Sequence, residues 1–244
     1  MSTRREPSRS RSRSGATTTA GRDERVAVRV AQPEHRRHWA ARARDLAVDA
    51  KFVARETHRS CNDLPMTDSV REAQLKMTDA GLIPQGEGWF ILNARDVSWI
   101  RSDERGQDTD FEGGQEWAQL GFRIHVLMPG QRNGMYHRER GQEDFLVVGG
   151  ECVLVIEGEE RRLKAWDFVH CPPWTHHVFV GAGEGPCVIL MTGSRAGGFE
   201  AVYPVNEVAE KHGASVLEET SKPDEAYASS GPEERSAYRD GWLP

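Results

Sequence analysis

The chain has 244 residues, with 32 Lys and Arg against 38 Asp and Glu and a formal net charge of −6. The charge is uneven: residues 1–65 hold 15 basic and 8 acidic side chains, and residues 66–244 hold 17 and 30. The larger part is therefore acidic and offers no electrostatic footprint for nucleic acid. No apolar run is long enough to span a bilayer as a helix, and the first 25 residues contain no Leu, Ile or Phe for the apolar segment of a secretory leader.

Residues 1–25 carry the repeat SRSRSRS and almost no apolar side chains. Such a segment cannot bury enough surface to offset its ordering entropy and is expected to be disordered. Trp39, Ala43, Leu46, Ala50 and Val53 then recur at spacings of four, three, four and three, which predicts an amphipathic helix over 34–59. Residues 1–65 form a basic extension, and their removal is expected to leave folding unchanged. Met66 opens a lead-in segment over 66–85.

From Gly86 the texture changes to short apolar runs separated by turn signals. Gly88–Asn93 and Asp96–Ile100 are expected to be strands, and 101–116 a polar loop. Gln119–Met128 alternates, with Phe122, Ile124, Val126 and Met128 on one face and Arg123, His125 and Leu127 on the other. Further strands are expected over Gly134–Glu139, Glu143–Val148, Glu151–Ile156, Arg161–Lys164, Phe168–Cys171, His177–Val180 and Cys187–Thr192. Many short strands with Gly/Pro turns and no βαβ rhythm predict an all-β antiparallel sandwich or barrel over 86–203. A strand-like run at Phe199–Tyr203 closes the barrel, and 204–244 then opens with a helix at Val205–His212 stopped by Gly213. A polar, loosely ordered tail follows, with a short helix near Pro223–Ala228.

Cys61, Cys152, Cys171 and Cys187 show no zinc-type spacing, and three of them sit in apolar runs. Reduced, buried thiols in a cytoplasmic protein are expected.

The chemistry concentrates between Met128 and His177. His137 and Glu139 are two apart and share one face of a strand. Glu143 follows after room for a reversal, and His177 lies beyond the turn at Pro172–Pro173. Two imidazoles and two carboxylates converging in one barrel make a candidate metal site. Such donors suit Mn²⁺, Fe²⁺, Ni²⁺ or Zn²⁺, and a second carboxylate tilts the preference toward Fe²⁺ or Mn²⁺. The alternative is a set of polar barrel residues that hold no metal. Arg123 and His125 are candidate pocket residues, and an inward Arg123 would favour an anionic substrate. His170, His176 and Tyr136 should point away from the site, with His176 exposed.

The spacing resembles the two-motif signature of the cupin superfamily. The first motif reads His137, Arg138, Glu139, then Glu143 and Gly150; the second reads Pro172, Trp174 and His177. Flanking segments Gly86–Phe90 and Tyr203–Val205 resemble those of small single-domain cupins, so the resemblance covers residues 75–240. It implies a double-stranded β-helix, a jelly-roll barrel, with short flanking helices. It also implies His137, Glu143 and His177 as ligands to one divalent metal.

Glu139 stands where most metal-binding cupins have a second histidine, and is either a fourth ligand, the reading preferred here, or a general base in the pocket. Trp174 replaces a glycine and places a bulky side chain near the barrel mouth, and Gly181 replaces an asparagine. The superfamily includes dioxygenases, isomerases, decarboxylases and storage proteins, so the fold does not choose among them. A metal-dependent oxidoreductase of dioxygenase type acting on a small polar molecule is expected. The alternatives are an isomerase, a decarboxylase or a non-catalytic binding module. The expected partners are a small molecule and a second copy of the chain, with no nucleic acid and no membrane.

Overall fold

The computed structural model describes residues 69–244. The basic extension over 1–65, the helix expected at 34–59 and Cys61 lie outside the described residues. The alternating segment forms β5 (Leu120–Leu127), which pairs along its length with β12 (Cys187–Ser194). β12 pairs on its other side with β7 (Glu143–Gly149), and β7 with the edge strand β10 (Phe168–Cys171). Beyond β5 lie β4 (Gly106–Thr109), β3 (Trp99–Ser102) and β14 (Glu234–Ser236), which completes a seven-stranded sheet. A second sheet places β8 (Glu151–Ile156) between β11 (His177–Ala182) and β9 (Glu159–Lys164). Two short strands, β6 (Arg138–Glu139) and β13 (Ala201–Val202), pair with each other. Every ladder between these strands is antiparallel.

One core lies between the two sheets. Leu127, Phe145, Val147, Cys171, Cys187 and Ile189 of the large sheet meet Cys152, Leu154 and Phe179 of the small one. This is the expected all-β jelly-roll barrel. The outward faces are covered as well: Val126 and Val188 pack with Val97, Trp99 and Trp242, and Val155 and Val178 pack with Tyr136, Ala209 and Ala214. Both faces of β5 are therefore apolar over part of their length, while Arg123 and His125 share the inward face with Leu127. The cysteines among the described residues, Cys152, Cys171 and Cys187, are free and buried.

Several local expectations are corrected. Gly88–Asn93 is not a strand; only Trp89 bridges, to Glu72, and Val97 bridges to Leu82 ahead of β3. The lead-in segment carries an antiparallel hairpin of β1 (Gln74–Thr78) and β2 (Gly81–Gln85). The presumed loop after residue 100 contains β4. Its polar side chains disguise it, yet they are buried and two of them are partnered: Thr109 Oγ1 accepts from the Ile124 N–H, and Asp108 pairs with Arg123. The tail is not loose. β14 pairs with β3, and Trp242, 6% exposed, packs in a tilted arrangement against Trp99 with ring centroids 5.1 Å apart.

The expected helices form in shortened versions, α1 (Glu207–Glu210) and α2 (Pro223–Ala226). Asn206 caps α1 by accepting from the Val208 and Ala209 N–H groups, and Gly213 at φ +64° ends that turn.

Candidate metal centre

β11 begins at His177, which lies directly across from His137 in an antiparallel bridge. The His137 N–H donates to the His177 carbonyl at 3.2 Å, and the His177 N–H donates to the His137 carbonyl at 2.8 Å. Residues that exchange both backbone bonds project to one face, and the two imidazole centroids stand 5.0 Å apart. Each ring is steered by the carbonyl two residues before it: His137 Nδ1 donates to Met135 O at 2.8 Å, and His177 Nδ1 to Thr175 O at 3.0 Å. A carbonyl can only accept, so the proton sits on Nδ1 and each Nε2 keeps its lone pair.

Glu143 opens β7 on the inward face that Phe145 and Val147 continue. Its Oε2 lies 3.2 Å from His177 Nε2. This approach is not a hydrogen bond, since His177 is 1% exposed and its Nε2 has no hydrogen-bond partner. A buried lone pair held against a carboxylate is costly unless a cation joins them. Donor atoms of His137, Glu143 and His177 all lie within 4.8 Å of one another. The residues fit a divalent ion with two imidazole donors and one carboxylate donor.

The electrostatics agree. Burial holds His177 down to about 3, helped by the neighbouring His137, and burial also lowers His137. Both rings are neutral at pH 7, the form that binds metals. Burial pushes Glu143 up to about 8, with Glu139 adding to the shift, and burial raises Glu139 too. A carboxyl group that is largely buried and has no Lys or Arg against it is poised to be ionised by an adjacent cation.

Glu139 lies outside the three-residue cluster but lines the same cavity, which has a volume of about 540 Å³. Gly141 leaves room for it, because a Cβ there would stand 2.7 Å from Glu139 Oε1 and 2.5 Å from Ser194 O. Arg123 and His125 line this cavity, as expected from their shared strand face. Arg123 is ion-paired there, its Nη1 sitting 2.7 Å from Asp108 Oδ2. His125 is satisfied by the backbone, its Nε2 lying 2.7 Å from Arg105 O.

Trp174 is not among the lining residues. Arg138 lies over its ring at 5.8 Å, and its φ of +70° explains why the motif favours glycine there. Gly181 has the opposite logic: a Cβ would meet Met128 O at 2.2 Å, so the motif's asparagine has no room. His176 is half-buried rather than exposed, stacked at 5.6 Å on Tyr136.

Some contributors were not singled out from sequence. Tyr203 stacks on His137 at 5.5 Å, and Phe145 packs at 5.1 Å from His177. Arg105 and Arg195 line the cavity. None stands at a recognisable spacing from the motif; Tyr203 was visible as the end of a strand-like run and the start of the flanking segment Tyr203–Val205, with no role at the site attached to it.

The sequence over residues 123–193 matches the family model described as a cupin domain. Among solved structures, a sugar phosphate isomerase from the cupin superfamily of Silicibacter pomeroyi is similar at 19% identity, over 62% of this chain and 86% of that one, with a TM-score of 0.38. An oxalate decarboxylase of Thermotoga maritima, itself a predicted assignment, is 18% identical over 43% of this chain and 98% of that one, with a TM-score of 0.38. A protein of Acidithiobacillus ferrooxidans, provisionally assigned as a sugar phosphate isomerase, is 22% identical over 39% of this chain, with a TM-score of 0.34; the match spans 61% of that protein's length. No curated protein matches the chain significantly. No helix among the described residues is long and apolar enough to cross a membrane. The matched segment runs from Arg123 in β5 to Gly193 in β12 and contains all three clustered donors, so the part of the chain that carries the candidate site is the part that matches a cupin domain.

Proposed function

We propose that this barrel is a mononuclear metal-dependent enzyme acting on a small polar organic molecule, an oxidoreductase of dioxygenase type. The observation that carries the reading is the orphaned Nε2 of His177, buried beside His137 and Glu143 at the wall of an open cavity. Fe²⁺ or Mn²⁺ suits this donor set best, and Zn²⁺ or Ni²⁺ is also accommodated. When bound, the ion would supply Lewis acidity and, for iron, reactivity toward O₂.

The chain's own residues do the rest. His137 and His177 present neutral nitrogens in fixed orientations, and Glu143 gives up its proton to become an anionic donor. Glu139 is proposed as a fourth donor. A second reading, metal-assisted isomerisation or decarboxylation, is favoured by the carboxyl of Glu139, which burial raises above its ordinary value and which off the metal would be free to move a proton. The buried free thiols support a cytoplasmic setting, and Phe168, exposed on edge strand β10, supports a homodimer.

The test starts with the metal content of protein purified without a His-tag. O₂ uptake is then followed with Fe²⁺ restored, across a panel of small acids and diketones. A protein that takes up no ion and is indifferent to chelator refutes the metal centre. Metal-loaded protein inert to O₂ moves the assignment to the isomerase reading. Glu139→Gln separates the roles, since loss of metal marks a ligand and loss of turnover with metal retained marks a base.

A further inference from the structure

Away from the metal donors, the same cavity wall carries two polar side chains that each have one end tied to the backbone and one end unused. His125 is 8% exposed, and its Nε2 lies 2.7 Å from Arg105 O. A carbonyl can only accept, so the neutral ring carries its proton on Nε2 and leaves a lone pair on Nδ1. Burial lowers the ring's affinity for a proton, with Arg123 and Arg105 acting in the same sense and Asp108 against it, which keeps the ring neutral at pH 7. Asn133 is tied down in the complementary way. Its Oδ1 accepts from the Phe179 N–H at 2.7 Å, so the amide cannot turn over, and its Nδ2 is left with two protons to donate.

No group among the described residues takes up either free end, and both residues line the cavity. They are anchored to the same short stretch of backbone. Arg105 O holds the His125 ring, and Glu104 O accepts at 3.1 Å from the N–H of Arg132, the residue before Asn133. A lone pair on a buried ring is costly when nothing donates to it.

We infer, on the reading of this cavity as a substrate site, that His125 and Asn133 select the substrate by its hydrogen-bonding pattern: Nδ1 of His125 accepts from an N–H or O–H, and Nδ2 of Asn133 donates to a neighbouring carbonyl. A lactam and an α-hydroxy ketone both present that pattern. A molecule without the donor leaves the imidazole lone pair unpaired and is rejected on that ground.

The test is ¹⁵N-resolved NMR of the histidine rings in the full chain, metal-free and Zn²⁺-loaded, with the His125 signals identified by their absence in His125→Gln. At pH 7 His125 should be protonated on Nε2 alone; the other tautomer, or a doubly protonated ring, overturns the inference. The chain is then titrated with 2-pyrrolidinone and hydroxyacetone, and with N-methyl-2-pyrrolidinone and methoxyacetone, which lack the donor. At least one parent compound should move the Nδ1 resonance, and its methylated counterpart should bind about tenfold more weakly. Which parent acts separates lactam from hydroxy ketone. No movement with either parent, or equal binding of the methylated forms, overturns the inference. Asn133→Asp keeps an oxygen for the Phe179 N–H and removes the donors, so it should bind the active parent about tenfold more weakly with the His125 tautomer unchanged; wild-type affinity removes Asn133 from the site. His125→Gln can still donate to Arg105 O but has no Nδ1, and should keep the wild-type melting temperature while losing about tenfold in affinity. A fall in melting temperature with affinity unchanged would make the ring merely structural. Should either variant fail to fold, the wild-type ring titrations decide. Failure of the metal reading shows separately, as no Zn²⁺ uptake, and the metal-free titrations still test the two side chains.

Discussion

Replacing Glu143 with Gln should strengthen the metal-free protein and weaken the metal-loaded one. Without metal, burial and Glu139 raise Glu143 from 4.5 to about 8. Between those values the folded state holds a proton that the unfolded state has released, so stability falls as pH rises through this window and stays low above it. The gap converts to at most about 5 kcal/mol. Glu143 is 17% exposed at a cavity wall, and solvent reaching it leaves about 2–3 kcal/mol. Gln carries no charge and avoids the loss. In chelator at about pH 9 the variant should melt about 5–10 °C above wild type, and at about pH 4 the two should coincide. With Mn²⁺ at about a hundredfold over its Kd, wild type should gain about 2.7 kcal/mol, and the variant, missing a ligand, much less. Thermal melts in chelator and in Mn²⁺ at both pH values read all four cases. Equal Mn²⁺ stabilisation of the two proteins would refute Glu143 as a ligand. No advantage for Gln in chelator at high pH would refute the buried, unpaired carboxyl.

Tyr203→Leu removes the ring stacked on His137 and should weaken Mn²⁺ binding about tenfold in a chelator competition, while Tyr203→Phe keeps the stack and should bind as wild type. Gly181→Ala forces a Cβ to within 2.2 Å of Met128 O and should lower stability by about 2–3 kcal/mol in denaturant melts. Trp242→Ala should cost about 3–5 kcal/mol; a loss below about 1 kcal/mol would mean that the C-terminal segment does not cover the outer face of the large sheet.

The barrel was legible because its strands are short, apolar and punctuated, and because His137, Glu143 and His177 keep a motif spacing that survives folding intact. β4 was not legible. Gln107, Asp108 and Thr109 look like a solvated loop, and only the partners they find on β5 make them a strand. The covering of the large sheet by Trp242 was missed for a related reason, as one aromatic in a polar stretch gives no periodicity to read. The inward direction of Arg123 followed from strand alternation, but its neutralisation did not. Asp108 lies in another strand, and ion-pair partners across a ladder leave no trace in linear spacing. Glu139 was placed on the correct face by its distance from His137, while its separation from the donor cluster depends on backbone detail around Gly141.

The carbonyls of Met135 and Thr175 that orient the two imidazoles each belong to the ring's own stretch of backbone, two residues upstream. The aim of the nitrogens is thus set locally, whereas Arg123, Met191 and Phe199, which shape the cavity, come from other segments of the chain. Metal holding and substrate choice are therefore separable inheritances in this barrel. Cavity walls can be rewritten, by evolution or by an engineer, while the ligands keep their bearing.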